Sequence, residues 1–308
     1  MGDGFNCPLE TGSLPDTLTS LIFGSHFDRP IPTGVLPSSL TLLRLGYCFN
    51  QQIAHGALPN SLTDLQFGHC YIVRIDANML PPSLTRLKFG FWYNCFFPPH
   101  SLPHSITELS VGTMYNQLLV TGCLPKSLTS LELGKCFNQS LDHGVLPASL
   151  TYLSLCDNFN KSLVLPNKMR TLHIGAATQL PHHLGVLKLP ASMDTMIIDN
   201  LCLDKKLPNI PILSWAETQG SGSCESSRLK LLKMTLDNNS YNKNSIETIL
   251  KAFVHLPKAD TTMIYVGEAA FIIMDEHQHH LSYRWMDDQS KTALCVTSNG
   301  TIWKLLSV

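Results

Sequence analysis

Residues 124–145 read LPKSLTSLELGKCFNQSLDHGV, and close variants of this stretch follow one another along the first half of the chain. The opening Leu-Pro pair returns every 22 residues, with no insertion or deletion across six consecutive intervals. A short fixed period predicts a solenoid of stacked coils, in which each coil packs only against its neighbours. The seven pairs begin at Leu14, Leu36, Leu58, Leu80, Leu102, Leu124 and Leu146.

Each repeat carries one short strand pattern, Leu-x-x-Leu-x-Leu, as at Leu40, Leu43 and Leu45. The last two apolar residues alternate with polar ones, which is the spacing of a β-strand. One strand per coil, stacked in register, predicts a parallel sheet whose strands lie about 4.8 Å apart. We therefore expect a mainly β fold of stacked short parallel strands with few helices.

Three positions of the repeat are nearly constant, and each has a physical interpretation. A serine three residues after the leucine of each Leu-Pro pair, such as Ser39, is predicted to bond the local backbone and hold the turn. A threonine two residues later, such as Thr41, predicts a ladder of β-branched side chains. A column with φ > 0 is predicted two residues before each pair, at Gly12, Gly34, Gly56, Asn78, His100, Gly122 and Gly144.

A further column varies in an unusual way. It lies where leucine-rich repeats carry an inward Asn or Cys, so we expect it to be buried packing. Two of its cysteines, Cys48 and Cys70, are one coil apart, but the repeat spacing does not match a zinc site, which needs close pairs. The column reads His26, Cys48, Cys70, Trp92, Met114, Cys136 and Asn158.

A Phe-Asn dipeptide follows that column at residues 5–6, 49–50, 137–138 and 159–160. With the Leu-Pro frame, it resembles the FNIP repeat, a 22-residue relative of the leucine-rich repeat found in slime-mould and giant-virus proteins. The resemblance implies a solenoid of leucine-rich-repeat type and an interaction protein, in some relatives with an F-box or kinase domain attached. No F-box-like segment precedes residue 4, so a ubiquitin-ligase adaptor role is not expected.

The period breaks after Leu146, and the break suggests a domain organisation. The Leu-Pro spacing shrinks while the strand pattern continues, so we predict a solenoid over residues 4–200 with shortened coils after about 165. A tapering coil and polar linker follow over 201–227. Residues 228–308 are predicted to form a small C-terminal α+β capping module, with a helix over 245–255 and a hairpin turn at Asn299-Gly300.

Composition narrows the classes of partner. The formal net charge of -1 gives no global field for nucleic acid, and no apolar run is long enough to span a membrane. No signal peptide is visible, so the ten cysteines are expected to be free thiols in the cytoplasm.

The two positions that flank the central leucine of each strand vary while their neighbours are fixed. One interpretation is a solvated sheet face with self-paired charges, because Asp64, Arg86 and Glu108 would stand on adjacent strands. The other is a stripe that binds a partner. The candidate binding residues are Leu42, Arg44, Asp64, Gln66, Arg86, Lys88, Glu108, Ser110, Glu132 and Tyr152.

The rest of the sequence contains little that indicates a metal-binding or catalytic site. His277, His279 and His280 form the only dense cluster of possible metal ligands, in a predicted hairpin loop that we interpret as a solvated turn, with metal binding as the alternative. No phosphate-binding loop, HExxH or Gly-x-Ser-x-Gly motif occurs, so no catalytic residue, metal or cofactor is predicted. Ice binding by the threonine ladder and an enzyme in residues 228–308 are minor alternatives.

The sequence therefore predicts a non-enzymatic scaffold that binds a protein partner of unknown identity on the strand-bearing face. The alternative is a structural or self-associating protein without a dedicated ligand. In that case the first coil, which has no module before it, would pair with another chain through its N-terminal edge.

Overall fold

The computed structural model describes residues 1–155, 159–175, 188–201, 214–215, 229–236, 259–266, 269–274, 292–296 and 303–307. The chain divides into two compact units, residues 1–166 and 167–308. The described residues contain strands and turns but no helix, and so none that could cross a membrane. The mainly β solenoid predicted from the period is confirmed.

The first unit is a stack of coils with one short strand each. Successive strands pair in parallel, and every paired residue has its partner 22 positions along the chain, as for Leu43 and Leu65. The central leucine of each strand points inward and is buried. The strands are β1 (Ser20–Ile22), β2 (Leu42–Arg44), β3 (Asp64–Gln66), β4 (Arg86–Lys88), β5 (Glu108–Ser110), β6 (Ser130–Glu132) and β7 (Tyr152–Leu155).

A row of stacked aromatic rings runs through the core of this unit. Each coil contributes the Phe or Tyr of its Phe-Asn position, and neighbouring rings lie nearly parallel with centroids 5.9–6.3 Å apart. Burial of so many rings supplies much of the hydrophobic stabilisation of the stack. The row comprises Phe5, Phe27, Phe49, Tyr71, Tyr93, Tyr115, Phe137 and Phe159.

A glycine after each strand allows the coils to approach backbone to backbone. A Cβ built on Gly46 would lie 1.9 Å from the carbonyl oxygen of Gly24, and one on Gly68 would lie 1.7 Å from that of Gly46. Gly90, Gly112 and Gly134 are equally close to the glycine one coil earlier. Any side chain here would separate neighbouring coils, because the atom it meets is backbone.

The predicted left-handed column is confirmed. All seven positions have φ between 63° and 86°, including the two that are not glycine, Asn78 (φ 64°) and His100 (φ 63°). Asn and His are among the residue types that tolerate this conformation best, which explains their substitution for glycine at these two turns.

Side chains also bond between coils, which corrects the predicted role of the serines. The Ser61 hydroxyl donates to the Leu40 carbonyl of the preceding coil at 2.6 Å, and Ser83, Ser105 and Ser149 make the same bond at 2.6–2.7 Å. The hydroxyl therefore joins two coils rather than holding its own turn. The Thr63 hydroxyl donates to the Thr41 carbonyl in the same way, whereas the Asn116 side-chain oxygen accepts from the Asn138 amide of the next coil.

The column predicted to be buried lies at the surface instead. Cys48, Cys70, Met114 and Cys136 are half-buried, while His26 and Trp92 are exposed; Asn158 lies outside the described residues. The inward place is taken by the aromatic residue that follows, because a large ring fills more of the coil interior than a cysteine. Cys48 and Cys70 are free thiols, so they form no disulfide.

The second unit contains longer strands. Five of them form a sheet in the order β8, β10, β12, β13, β14, parallel except for the antiparallel β13–β14 pair. Two small two-stranded sheets accompany it, a parallel β9–β11 pair and an antiparallel β15–β16 pair. These strands are β8 (Thr171–Ile174), β9 (Lys188–Leu189), β10 (Thr195–Leu201), β11 (Ser214–Trp215), β12 (Leu229–Leu236), β13 (Ala259–Val266), β14 (Ala269–Met274), β15 (Thr292–Val296) and β16 (Trp303–Ser307).

The sequence predicted most of these strands but not β11. Ser214 and Trp215 were expected in a polar linker, yet they pair with β9. A strand of two residues is too short to show the alternation of apolar and polar residues from which a strand is predicted. The helix predicted over 245–255, the Asn299-Gly300 turn and the histidine loop at 277–280 lie outside the described residues. The domain boundaries near 200 and 227 stay predictions.

The first residues extend the columns of the solenoid by half a coil. The terminal amino group of Met1 donates to the Ile22 carbonyl at 2.7 Å, and the Asp3 carbonyl accepts from the His26 amide at 3.0 Å. The Phe5 ring continues the aromatic row. Residues 1–6 thus cover part of the first coil.

Three tyrosine hydroxyls in the aromatic row lack a hydrogen bond of good geometry among the residues that the structure describes. They belong to consecutive coils, and the side chains of Tyr71, Tyr93 and Tyr115 are fully buried. Burial raises the pKa of all three phenols well above the ordinary value near 10. A buried hydroxyl without a partner lowers the free energy of unfolding. In these coils the buried rings therefore stabilise the fold and their hydroxyl groups do not.

We predict that Gly46→Ala lowers the free energy of unfolding by at least about 3 kcal/mol, because its methyl group would meet backbone of the preceding coil. Gly34→Ala is the matched control. Its Cβ would meet nothing within 4 Å, so only the cost of φ +82° remains, about 1–2 kcal/mol. Urea unfolding followed by circular dichroism measures both, and equal losses would contradict the close-approach argument.

We predict that Tyr115→Phe raises the free energy of unfolding by about 1 kcal/mol, because it removes a buried hydroxyl without a partner and keeps the ring. The reverse change, Phe137→Tyr in the same column, should lower it. Chemical denaturation of the two variants is the measurement. A loss of stability in Tyr115→Phe would show instead that the hydroxyl is satisfied by bound water.

The raised phenol pKa values also predict alkaline destabilisation. The three tyrosines stay neutral in the folded protein but ionise near pH 10 once unfolded, so their stabilising effect is complete below that pH and declines above it. Urea midpoints between pH 8 and 11 should fall less steeply for a Tyr71→Phe, Tyr93→Phe, Tyr115→Phe triple variant than for the wild type. Identical slopes would argue against the buried phenols as the cause.

Candidate functional site

The candidate binding residues all lie on strands β2–β7, on either side of the central buried leucine. Each is exposed or half-buried, so the structure places the set on one strand-bearing face. It also divides them into two columns with different surroundings. The first column includes Asp64, Arg86 and Glu108, and the second includes Arg44, Gln66, Lys88, Ser110 and Glu132.

Charges of the first column pair with one another. The Arg86 guanidinium lies 3.0 Å from an Asp64 carboxylate oxygen and 3.0 Å from one of Glu108. Arg86 and Glu108 are more than half exposed, so each pair contributes at most about 1 kcal/mol. The predicted attraction between adjacent strands is therefore confirmed, and this column has the properties of a solvated, self-paired surface.

The second column has free cations. Arg44 and Lys88 are exposed, and neither forms an ion pair in the part of the chain that the structure describes. Gln66 lies between them on β3, and Ser110 follows on β5. From β2 to β5 this column thus presents hydrogen-bond donors and unneutralised positive charge on one line across the sheet, and Glu132 adds a negative charge on β6.

A groove of about 490 Å³ opens beside the second column, at the carboxyl ends of the strands. Gln66, Lys88 and Ser110 form one side. The closely packed glycines Gly68, Gly90 and Gly112 also line it, so main chain forms part of its wall. The rigid backbone that the glycine contacts impose keeps this groove in one shape.

Aromatic side chains line the other side of the groove. Tyr47, His69 and Phe91 stack on one another with centroids 4.3 and 4.7 Å apart and interplanar angles of 12° and 8°. Trp92 lies edge-on to Phe91, with centroids 4.9 Å apart. Tyr47 is 52% exposed and Trp92 48% exposed, which is unusual for such large side chains. We call Tyr47, His69 and Phe91 the ring row.

The ring row was not predicted from the sequence. Its members follow the fixed glycine directly, in a column whose other residues are small or charged, so the aromatic run is only three coils long. The signal was present, because three consecutive rings in a variable column are uncommon. The pattern did not show whether that column faces outward, because its direction depends on the path of the coil after the strand. The column reads Ser25, Tyr47, His69, Phe91, Thr113 and Lys135.

The buried thiols do not have the properties of catalytic nucleophiles. Burial raises the pKa of the Cys123 thiol to about 11, and it also raises the pKa of Cys70 and of Cys95. A reactive cysteine needs the opposite shift, since the thiolate is the nucleophile. Among the residues that the structure describes, no group of three His, Cys, Asp or Glu side chains is arranged to hold a metal ion.

Comparison with known proteins supports the architecture. No curated protein matches the chain. Among solved structures, it is similar to CroV588, described as a novel circular LRR protein, with 32% sequence identity and a TM-score of 0.63. The match covers 86% of this chain but 42% of that protein, so the chain spans less than half of its structural relative.

The repeats themselves identify the family. Seven overlapping matches to the FNIP Repeat model cover residues 5–48, 27–70, 49–91, 73–114, 93–136, 115–157 and 137–177. Together they include more than half of the 308 residues and the entire stretch in which the strands, the aromatic row and the glycine contacts recur. Because the matched repeats are also the observed coils, the chain belongs to the FNIP repeat family.

Proposed function

We propose that this protein is a non-enzymatic interaction scaffold that binds a partner protein on its strand-bearing face, in the groove between the ring row and the second column. The observation that carries the proposal is the exposed aromatic surface beside unpaired cations. Exposed Tyr and Trp beside Arg form the composition of interface hot spots.

The scaffold supports binding by being rigid at this place. Backbone bonds, hydroxyl bonds and glycine contacts join each coil to the next beneath the groove, as at Thr63, Thr85 and Gly90. A preorganised surface loses little conformational entropy when it binds, so more of the contact energy appears as affinity. The variable residues above this frame can differ without disturbing it.

We also propose that the protein is located in the cytoplasm. The exposed Cys7 and five further cysteines are free thiols, which fits a reducing compartment such as the cytoplasm.

Self-association through the N-terminal edge is the alternative function. It rests on strand β1, where Ile22 is 49% exposed. Its main-chain carbonyl is already bonded to the Met1 amino group, which weakens the case for pairing with another chain. Sedimentation at high concentration separates the two functions, since a strict monomer excludes the alternative.

We predict that the Tyr47→Ala, Phe91→Ala double variant binds the partner at least about tenfold more weakly, because it removes the exposed rings. A photo-crosslinking amino acid in place of Trp92 first identifies the partner in the native cell. Calorimetry with the purified partner then compares the double variant, Lys88→Glu and the wild type.

Two controls make the result specific. Lys126→Glu changes an exposed lysine outside the groove and should bind like the wild type. Circular dichroism confirms that the double variant is folded. Wild-type affinity in both the double variant and Lys88→Glu would place binding elsewhere and overturn the proposal.

A further inference from the structure

The groove is electropositive in a chain with no overall positive charge. Its lining includes Lys88 and no carboxylate, and Arg44 lies on the same column two strands away, while the formal net charge of the chain is -1. On the strand face, Asp64 and Glu108 are already bound to Arg86, and Glu132 lies one strand beyond Ser110, outside the groove lining. A ligand with carboxylates would therefore be attracted to the groove rather than to its surroundings.

Orientation of the ring row adds to this preference. Tyr47, His69 and Phe91 are stacked face to face, so both faces of His69 and one face each of Tyr47 and Phe91 are covered, which leaves ring edges as a large part of the aromatic surface along the groove. The edge of an aromatic ring carries the positive part of its quadrupole, which favours carboxylate and carbonyl oxygens. Single-stranded nucleic acid binds chiefly by stacking bases on open ring faces, so a peptide fits this wall better.

Spacing of the cations indicates the form of the peptide. Arg44 and Lys88 stand two strands apart, about 9.6 Å at the usual strand separation. The ring row covers the same two intervals on the opposite side of the groove. A polyproline II chain advances about 9.3 Å in three residues and presents residues i and i+3 on one face. Its carboxylates would meet both cations, whereas i and i+3 of a β-strand point to opposite faces.

We infer that the groove binds an acidic, extended segment of a partner protein, with carboxylates three residues apart in polyproline II conformation. This inference rests on the proposed function and specifies the chemistry of the partner. Lys88 and Arg44 bind the carboxylates. Gln66 and Ser110 have donors and acceptors for the peptide main chain.

Fluorescence anisotropy with the full chain tests the inference. The probe is a fluorescein-labelled (Glu-Pro-Pro)₄ peptide, compared with (Gln-Pro-Pro)₄, (Lys-Pro-Pro)₄ and a dT12 oligonucleotide. We expect the glutamate peptide to bind at least about tenfold more tightly than the other three. We also expect its affinity to fall when salt is raised from about 50 to 300 mM, because exposed charges are screened.

Variants of the two cations locate the binding. Arg44→Ala and Lys88→Ala should each weaken the glutamate peptide about tenfold, and Lys126→Ala should leave it unchanged. Both cations are exposed, so their removal leaves the core intact. No binding of the glutamate peptide, equal binding of the glutamine peptide, or wild-type affinity in Lys88→Ala would overturn the inference. Preferential binding of dT12 would overturn it in favour of nucleic acid.

The same variants distinguish this inference from the proposed function. Loss of the crosslinked partner in Tyr47→Ala, Phe91→Ala, but not in Arg44→Ala or Lys88→Ala, would keep the groove as the binding site and reject an acidic ligand. Retention of the partner in all of these variants would reject both.

Discussion

Main-chain contact between equivalent residues of successive coils is the constraint on which the rest of the first unit depends. Each strand residue pairs with the residue 22 positions along, and each glycine after a strand lies against the carbonyl of the glycine before it. Such contact is possible only if every coil follows the same path. Insertion of one residue would shift all later positions, and a Cβ at Gly68 or Gly112 would force two coils apart.

An identical path has consequences for side chains. Positions repeat at a distance set by the backbone, so like residues stack on like residues throughout the stack. The aromatic row uses this arrangement for burial, with rings such as Phe49 and Tyr71 in parallel contact. The serine and threonine hydroxyls use it for hydrogen bonds between coils. The same arrangement also lowers stability at Tyr71, Tyr93 and Tyr115, because it buries their hydroxyls without hydrogen-bond partners.

The groove lies where the residues at two variable positions of the repeated coil change. In three consecutive coils the residue after the glycine is aromatic, and over the same coils the second column includes Gln66 and Lys88. The frame supplies rigidity and a wall of main chain, and the variable residues supply rings and charge. The adjacent column neutralises its charges through Arg86. The strand-bearing face therefore contains a solvated, self-paired strip, which was one interpretation of the sequence, and beside it the groove that we propose as the binding surface.

Periodicity alone determined the class of fold, the parallel register, the left-handed positions and the outward direction of the flanking strand residues. These properties follow from the backbone path, and a path repeated every 22 residues leaves its mark at every equivalent position. Only the tertiary structure decided which coil a serine hydroxyl reaches, that the cysteine column lies at the surface, and that Tyr47, His69 and Phe91 form one wall. Those outcomes depend on side-chain direction and on distances between coils, which a linear pattern does not contain.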